Sequence, residues 1–585
     1  MYNPVSTYRI QFNKEFSFSD FGKIIPYLQK LGISTLYASP IFEATPESVH
    51  GYDVTNPHTI NPEIGTREQL KSISLLLKEN NIGWLQDIVP NHMAFHPNNK
   101  WLMDVLEKGP HSPHFRVFDI IWNSKFHKGR LMVPFLGTSL EETINNGEIQ
   151  LKIEESGVFL DYYDNQYPIR PESYSTILNQ KKHPDESVKR LVKRIAELET
   201  TEGGKPYSER WSDLKLQLLN DKHLLAAIET ANDNNQLLYR IATEQHYLLC
   251  HWQTTDQEIN FRRFFTINGL ICLNIQEPDV FAQYHQLIKE FIDAGIFNGL
   301  RVDHIDGLYD PTTYLDRLRD LAGEEAPIVV EKILEPGESL PNEWNIQGNT
   351  GYDFLSLVNN VLTNKKAEGP FTKFYQQLTK DKKSIHQHLH DKKSAILYNY
   401  MSGELENLYH LFSELKLADK KDQALIHPDD LKTAIAEFLI HCPVYRYYGH
   451  SFPLDHPESL FIQAILNRIR KSNAANKKVI ALLEKVFLQK PHEGNEDYNT
   501  RVARFYQRCM QFTGPLMAKG VEDTLMYTYN RFIGHNEVGD SPETFGTTAD
   551  EFHQAMVERQ LDWPLSLNAT STHDTKRGED TRARL

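Results

Sequence analysis

Along the first ninety residues the apolar positions switch repeatedly between strand-like and helix-like spacing. VSTYRIQF (5–12) is rich in β-branched and aromatic residues and predicts a strand. FSDFGKIIPYLQKLG (18–32) carries apolar residues at helical spacing and closes on Gly32. ISTLYASPIF (33–42) predicts a second strand, TREQLKSISLLLKENN (66–81) a helix and IGWLQDIVP (82–90) a third strand. Such repetition implies parallel strands joined by right-handed crossovers.

Near Pro97 the pattern changes. Residues 94–255 hold a mixed segment and then polar helices such as ESVKRLVKRIAELE (186–199). An excursion of that length predicts an inserted subdomain rather than a loop. The alternation resumes with a helix in VFAQYHQLIKEFIDAG (280–295) and a strand in FNGLRVDHI (297–305). YLDRLRDLAG (314–323) predicts a helix and APIVVEKIL (326–334) a strand. After GNTGYDF (348–354) comes a helix-rich, Lys-rich stretch over 359–512, and LSLNATSTHD (565–574) predicts a last strand.

The fold class is therefore α/β, a (β/α)8 TIM-type barrel interrupted by two largely helical insertions. The expected division is 1–93 (strands 1–3), 94–255 (insertion), 256–358 (strands 4–6), 359–512 (helical insertion) and 513–585 (strand 7 region). Polar residues fall where strands end: Asp87, Asn91 and His92; Arg301 and Asp303; Glu331; His573 and Asp574. In such a barrel all strand C-termini open on one face, where reactive groups gather. A doubly wound sheet would carry a Gly-rich phosphate turn after its first strand, and no such turn is present.

Composition narrows the function classes. The 585 residues carry a net charge of −15, which argues against a chain built to hold nucleic acid. Cys250, Cys272, Cys442 and Cys509 are far apart and form no CxxC, so free thiols in a reducing compartment are expected. The N-terminal residues show no signal-peptide pattern, and no apolar run is long enough to span a bilayer. The reading is a soluble, cytoplasmic protein without a membrane partner.

Asp303, Glu331 and Asp574 each follow an apolar run, at separations too wide for a local metal loop. If folding gathers them, two carboxylates and a nearby third suit retaining glycosyl transfer. Arg301 lies two residues before Asp303, on the same strand face, where a guanidinium favours the ionised acid. Glu331, facing other acids in a partly dry site, is expected to have a raised pKa. The residues alone leave a plainer alternative open, because an Arg-x-Asp at a strand end is often a structural ion pair.

Four segments in order, DIVPNH (87–92), GLRVDHIDGL (299–308), VVEKIL (329–334) and STHDTKR (571–577), resemble the signature regions of glycoside hydrolase family 13, the α-amylase superfamily. HGYDV (50–54) resembles the segment that supplies an aromatic platform for the reacting sugar. Longer strings, among them STYRIQF, LYASPIF, NPEIGT, EINFRRFFTINGL and GPLMAKGVEDT, resemble the maltooligosyl trehalose synthase branch from residue 5 to residue 585.

The resemblance implies Asp303 as nucleophile, Glu331 as general acid/base and Asp574 as transition-state stabiliser. Arg301 would orient Asp303. His50, Tyr52, Asn91, His92, His304, Lys519 and His573 would contact substrate, with Tyr52 stacking on the sugar. Asp87 is taken as a structural anchor of its strand end and Asp306 as local structure or sugar binding. The implied reaction moves the last α-1,4 bond of a maltooligosaccharide to an α,α-1,1 bond. An α-1,4-glucan hydrolase or 4-α-glucanotransferase and a non-catalytic glucan-binding fragment are the alternatives. The resemblance implies no cofactor and no metal ligand set, although some amylases bind structural calcium near the region containing Asn91. A maltooligosyl trehalose hydrolase is the implied partner in sequence. The family pattern continues past STHDTKR with an eighth strand and a C-terminal β-domain, so a truncated chain is expected.

Overall fold

The computed structural model describes residues 2–180, 185–198, 200–201, 203–423, 426–472 and 474–585; parts of both expected insertions therefore lie outside the described residues. The chain divides into two compact units. One comprises 1–40, 64–91 and 285–585, the other 41–63 and 92–284. The second unit thus includes a segment from the first ninety residues and extends to Tyr284, boundaries that periodicity alone did not mark.

The first unit is built on six parallel strands: β1 (Thr7–Ile10), β2 (Thr35–Ala38), β3 (Gly83–Ile88), β4 (Gly299–Val302), β5 (Ile328–Val330) and β6 (Gly348–Asn349). Each strand pairs with the next without reversal. That order is the barrel type, since a doubly wound sheet turns back on itself. β2 to β5 are fully buried along their lengths, as strands covered on both faces must be.

Helices α1 (Phe18–Leu31) and α2 (Arg67–Glu79) are delimited as their sequences dictate. Ser17 and Asp20 form a capping box, and the chain leaves α1 through Gly32 at φ 84°. Thr66 and Gln69 do the same for α2. Phe18, Phe21, Ile25 and Leu28 form the buried stripe of α1. Further helices, α3 (Gln286–Asp293) and α4 (Pro311–Ala322), overlap the expected ones, whereas α5 (Tyr352–Val361) starts inside GNTGYDF, where no helix is expected.

The expected strand at 565–574 does not form. Its backbone makes one bond to β6, from Leu567 N–H to the Asn349 carbonyl at 3.0 Å, and the Ser566 hydroxyl accepts from Asn349 N–H at 3.2 Å. β6 is two residues long, so a longer ladder has nothing to pair with. The segment passes very close to Gly348 and Gly351. A Cβ at Gly351, where φ is 90°, would lie 2.3 Å from the Leu567 carbonyl oxygen. Leu567 packs on Tyr37, Leu85 and Val329 from three different strands.

The helical part of this unit has its own core. Leu397, Phe412, Leu439, Ile462, Val502 and Tyr506 are among its buried members. Helix α6 (Ile385–Tyr400) packs beside Met517–Leu525, which is wound as a π-helix. Approach is close there, since a Cβ on Gly520 would sit 3.0 Å from Lys393 Cα.

The second unit contains the hairpin Phe42–Ala44/Val54–Ile60 and the antiparallel pair His92–Ala94 with Ile267–Cys272. It also holds the meander Gln150–Glu154, Gly157–Tyr162 and Asn165–Pro168, followed by helices from Pro171 to Thr243. Among the described residues no helix is long and apolar enough to cross a membrane. Among the described residues no disulfide links Cys250, Cys272, Cys442 or Cys509.

Candidate active site

The centre of the site is Arg301, which has no solvent exposure. It pairs in register with Asp87 on β3 and Val329 on β5. Its Nη1 donates to Asp87 Oδ1 at 2.8 Å and to Asp303 Oδ1 at 2.7 Å. Nη2 lies 3.5 Å from Glu331 Oε1. Three carboxylates therefore converge on one guanidinium, which offsets the desolvation that buried charge would otherwise suffer.

The ladders continue one residue past the strands. Asp303 N–H donates to the Ile88 carbonyl and Glu331 N–H to the Val302 carbonyl, both at 2.9 Å. Glu331 Oε2 accepts the His304 N–H at 2.7 Å. To present that N–H, His304 adopts the left-handed conformation, φ 46° and ψ 54°, uncommon for a residue with a side chain. Gly307 accommodates the fold-back, because a Cβ there would lie 2.4 Å from the His304 ring and 2.6 Å from Asn91 Oδ1.

Burial pushes the Glu331 carboxyl up to about 7, with Arg301 opposing and the Asp574 charge adding to the rise. Burial also pushes Asp303 upward, helped by Glu331 and opposed by Arg301. The expectation that Arg301 simply holds Asp303 ionised is thus corrected: desolvation outweighs the cation in the isolated group. The two acids titrate as a pair. When the pair holds one proton, the shorter ion pair to Arg301 favours the charge on Asp303 and the proton on Glu331.

Asp574 comes from the 564–578 loop. Its Oδ2 accepts from Tyr352 Oη at 3.0 Å, and Tyr352 Oη accepts from Thr572 Oγ1 at 3.2 Å. His573 Nε2 lies 3.4 Å from the same Oδ2. Burial lowers the His573 pKa to about 4, so its ring is neutral near pH 7. Asp574 raises Glu331, and Glu331 raises Asp303, so the three acids share one electrostatic neighbourhood.

Lys519 lies on the π-helix, its Nζ 2.7 Å from Asp523 Oδ2. Asp306 is buried against Lys332 Nζ at 3.2 Å and accepts from the Tyr448 hydroxyl. Those contacts make it part of a buried ion network. His50, Tyr52 and His92 belong to the second unit. There the Tyr52 N–H donates to His50 Nδ1 at 3.1 Å and their rings are 5.9 Å apart. His92 is buried, its ring 4.6 Å from that of Phe264.

Residues 22–130 match the family described as the α-amylase catalytic domain. Over 99% of its length this chain is 30% identical to a Mycobacterium tuberculosis protein named "Putative maltooligosyl trehalose synthase". The solved maltooligosyltrehalose synthase from Arthrobacter ramosus is 31% identical over 99% of the chain, with a TM-score of 0.76. The structure titled as a hypothetical maltooligosyl trehalose synthase from Sulfolobus tokodaii is 29% identical over the whole chain, with a TM-score of 0.72. The chain spans 64% of the length of each of these relatives.

Two residues whose electrostatics couple to Glu331 carried no legible signal. Tyr352 follows Gly351 in GNTGYDF, a string that reads only as a boundary. Glu522, beside the predicted Lys519, is half-buried and accepts from the Tyr445 hydroxyl. Burial lifts its pKa to about 7, and Glu331 adds to the rise. A Glu inside GPLMAKGVEDT reads as an ordinary polar helix position, because only packing shows what surrounds it.

Proposed function

We propose that this chain is the catalytic part of an intramolecular transglycosylase, a (1→4)-α-D-glucan 1-α-D-glucosylmutase. It would convert the reducing-end α-1,4 bond of a maltooligosaccharide to an α,α-1,1 bond. The observation that carries the chemistry is the single Arg301 guanidinium holding Asp303 at 2.7 Å and Glu331 at 3.5 Å. The choice of reaction rests on the similarity to maltooligosyl trehalose synthases along 99% of the chain.

In this mechanism Glu331 protonates the glycosidic oxygen while an Asp303 oxygen attacks the anomeric carbon. The C–O bond breaks and a covalent β-glycosyl ester forms. Asp574 binds the distorted ring, oriented by Tyr352. The released glucose stays, turns and presents its anomeric hydroxyl. Glu331 takes that proton, the new C–O bond forms, and Asp303 departs as carboxylate. Two inversions retain the α configuration. Proximity favours the trapped glucose over water.

His50, Tyr52, Asn91, His92, His304, Lys519 and His573 are proposed sugar contacts, Tyr52 by stacking on the ring. We also propose a reducing, cytoplasmic setting, in keeping with four widely spaced cysteines that form no CxxC. A hydrolase that releases trehalose from the product is the proposed partner in sequence.

Incubation with maltopentaose tests the proposal. Loss of reducing ends without shorter sugars is expected. Accumulating glucose and maltose would instead assign a hydrolase, and unchanged but bound maltopentaose would assign a glucan-binding module.

A further inference from the structure

We propose that His390, Glu437 and His441 form a binding site for a divalent cation of the zinc class, clamping two helices of the helical part together. His390 projects from α6, and Glu437 from the helix Pro428–Ile440, whose C-cap is His441. Their ligand atoms all lie within 4.8 Å of one another. Two edges of the triangle are nearly closed: His390 Nε2 is 3.1 Å from Glu437 Oε2, and His441 Nε2 is 3.3 Å from the same oxygen. Ligands bound tetrahedrally to zinc are separated by about 3.4 Å, so the donors already stand near a coordinating spacing.

The donor chemistry points to the same class. Two imidazoles and one carboxylate suit a borderline cation, whereas calcium and magnesium prefer oxygen-only cages. Glu437 is 5% exposed, and His441 Nε2 is enclosed and outside hydrogen-bonding geometry despite its distance to Oε2. Ser394 Oγ lies 3.5 Å from His390 Nδ1, on the side of the ring away from Glu437, which leaves Nε2 for a metal. The neighbouring cation, Lys393, is directed elsewhere, its Nζ donating to the Cys442 carbonyl at 2.8 Å. Because α6 also backs the π-helix carrying Lys519 and Glu522, a bound ion would stiffen that wall.

The test is calorimetric titration of the chelator-treated full chain with Zn2+ alone, paired with thermal unfolding. One equivalent is expected to bind with release of protons, and the melting temperature is expected to rise; Ca2+ and Mg2+ should do neither. His390→Ala, at a half-buried position, should weaken Zn2+ binding by at least ~100-fold, since even outer-shell losses cost 10–100-fold. Should that variant not fold, the visible spectrum of the Co2+-loaded wild type reads the site directly, tetrahedral intensity being expected. Absence of Zn2+ binding by folded protein, equal binding by His390→Ala, an octahedral Co2+ spectrum or equal stabilisation by Ca2+ would each overturn the proposal.

Discussion

Asp303 and Glu331 stand opposite each other one step beyond the last paired residues of β4 and β5. The ladder pairs Leu300 with Ile328, Arg301 with Val329 and Val302 with Val330, an offset of 28 that the next pair, Asp303 and Glu331, preserves. Two strand tips in parallel register therefore hold both acids over one guanidinium. The following consequences are open to measurement.

Asp303→Asn removes the nucleophile and Glu331→Gln the transferable proton. Turnover of maltopentaose by Glu331→Gln should fall by about 10²–10⁴-fold, the range for a lost general acid. Asp303→Asn should lose more. Calorimetric affinity for the sugar should change little in both, and a variant keeping most of its rate would refute its assignment.

The rate should depend on pH through Glu331. The forward step needs this group protonated, and its pKa lies at about 7. Activity per bound substrate should therefore fall as pH rises through about 7. Asp574 helps to raise that value. Residual activity of Asp574→Asn should show its alkaline limb displaced to lower pH; an unmoved limb would count against the coupling.

Tyr352→Phe deletes the hydroxyl that donates to Asp574 Oδ2 at 3.0 Å while keeping the ring. A hydrogen bond to a charged group is worth about 1.5–3 kcal/mol, so kcat should drop by roughly 10–100-fold with KM little altered. An unchanged kcat would show that Asp574 is positioned by other contacts.

Half-buried Glu522 makes stability pH-dependent. Its folded pKa of about 7 exceeds the usual 4.5, so the folded state holds a proton that the unfolded chain has released between those values. Its contribution is complete below 4.5 and is lost as pH rises through about 7. Glu522→Gln carries no such proton. Denaturant titrations at pH 5 and pH 8 should show the variant gaining on wild type by up to a few kcal/mol, at about 1.4 kcal/mol per unit. A pH-independent difference between the two proteins would contradict this.

Gly351→Ala should lower stability by about 1–3 kcal/mol, because it combines a positive φ with a Cβ 2.3 Å from the Leu567 carbonyl. Displacing Leu567 moves the loop that carries Asp574, so activity should fall further than the loss of folded protein explains. Differential scanning calorimetry alongside rate measurements separates the two effects.

Hydrophobic spacing located β1 to β5 and α1 to α4, and polar residues at strand ends pointed to Asp303 and Glu331, because period-2 and period-3.6 patterns are local properties of the chain. The spacing of 28 was visible without its meaning, since register is a relation between two strands. The strand expected at 565–574 failed for a similar reason: LSLNATSTHD has suitable residues, but its neighbour β6 offers two residues for pairing.

What the sequence determined by itself is the order of elements, the capped ends of α1 and α2 and the chemistry available at each strand tip. The tertiary structure decided which acids share Arg301, that desolvation rather than charge pairing dominates Asp303, and that Tyr352 and Glu522 stand beside them. It also assigned His50, Tyr52 and His92 to a unit other than the one holding the acids. Burial and through-space charge depend on residues hundreds of positions apart, and no local pattern in the chain encodes them.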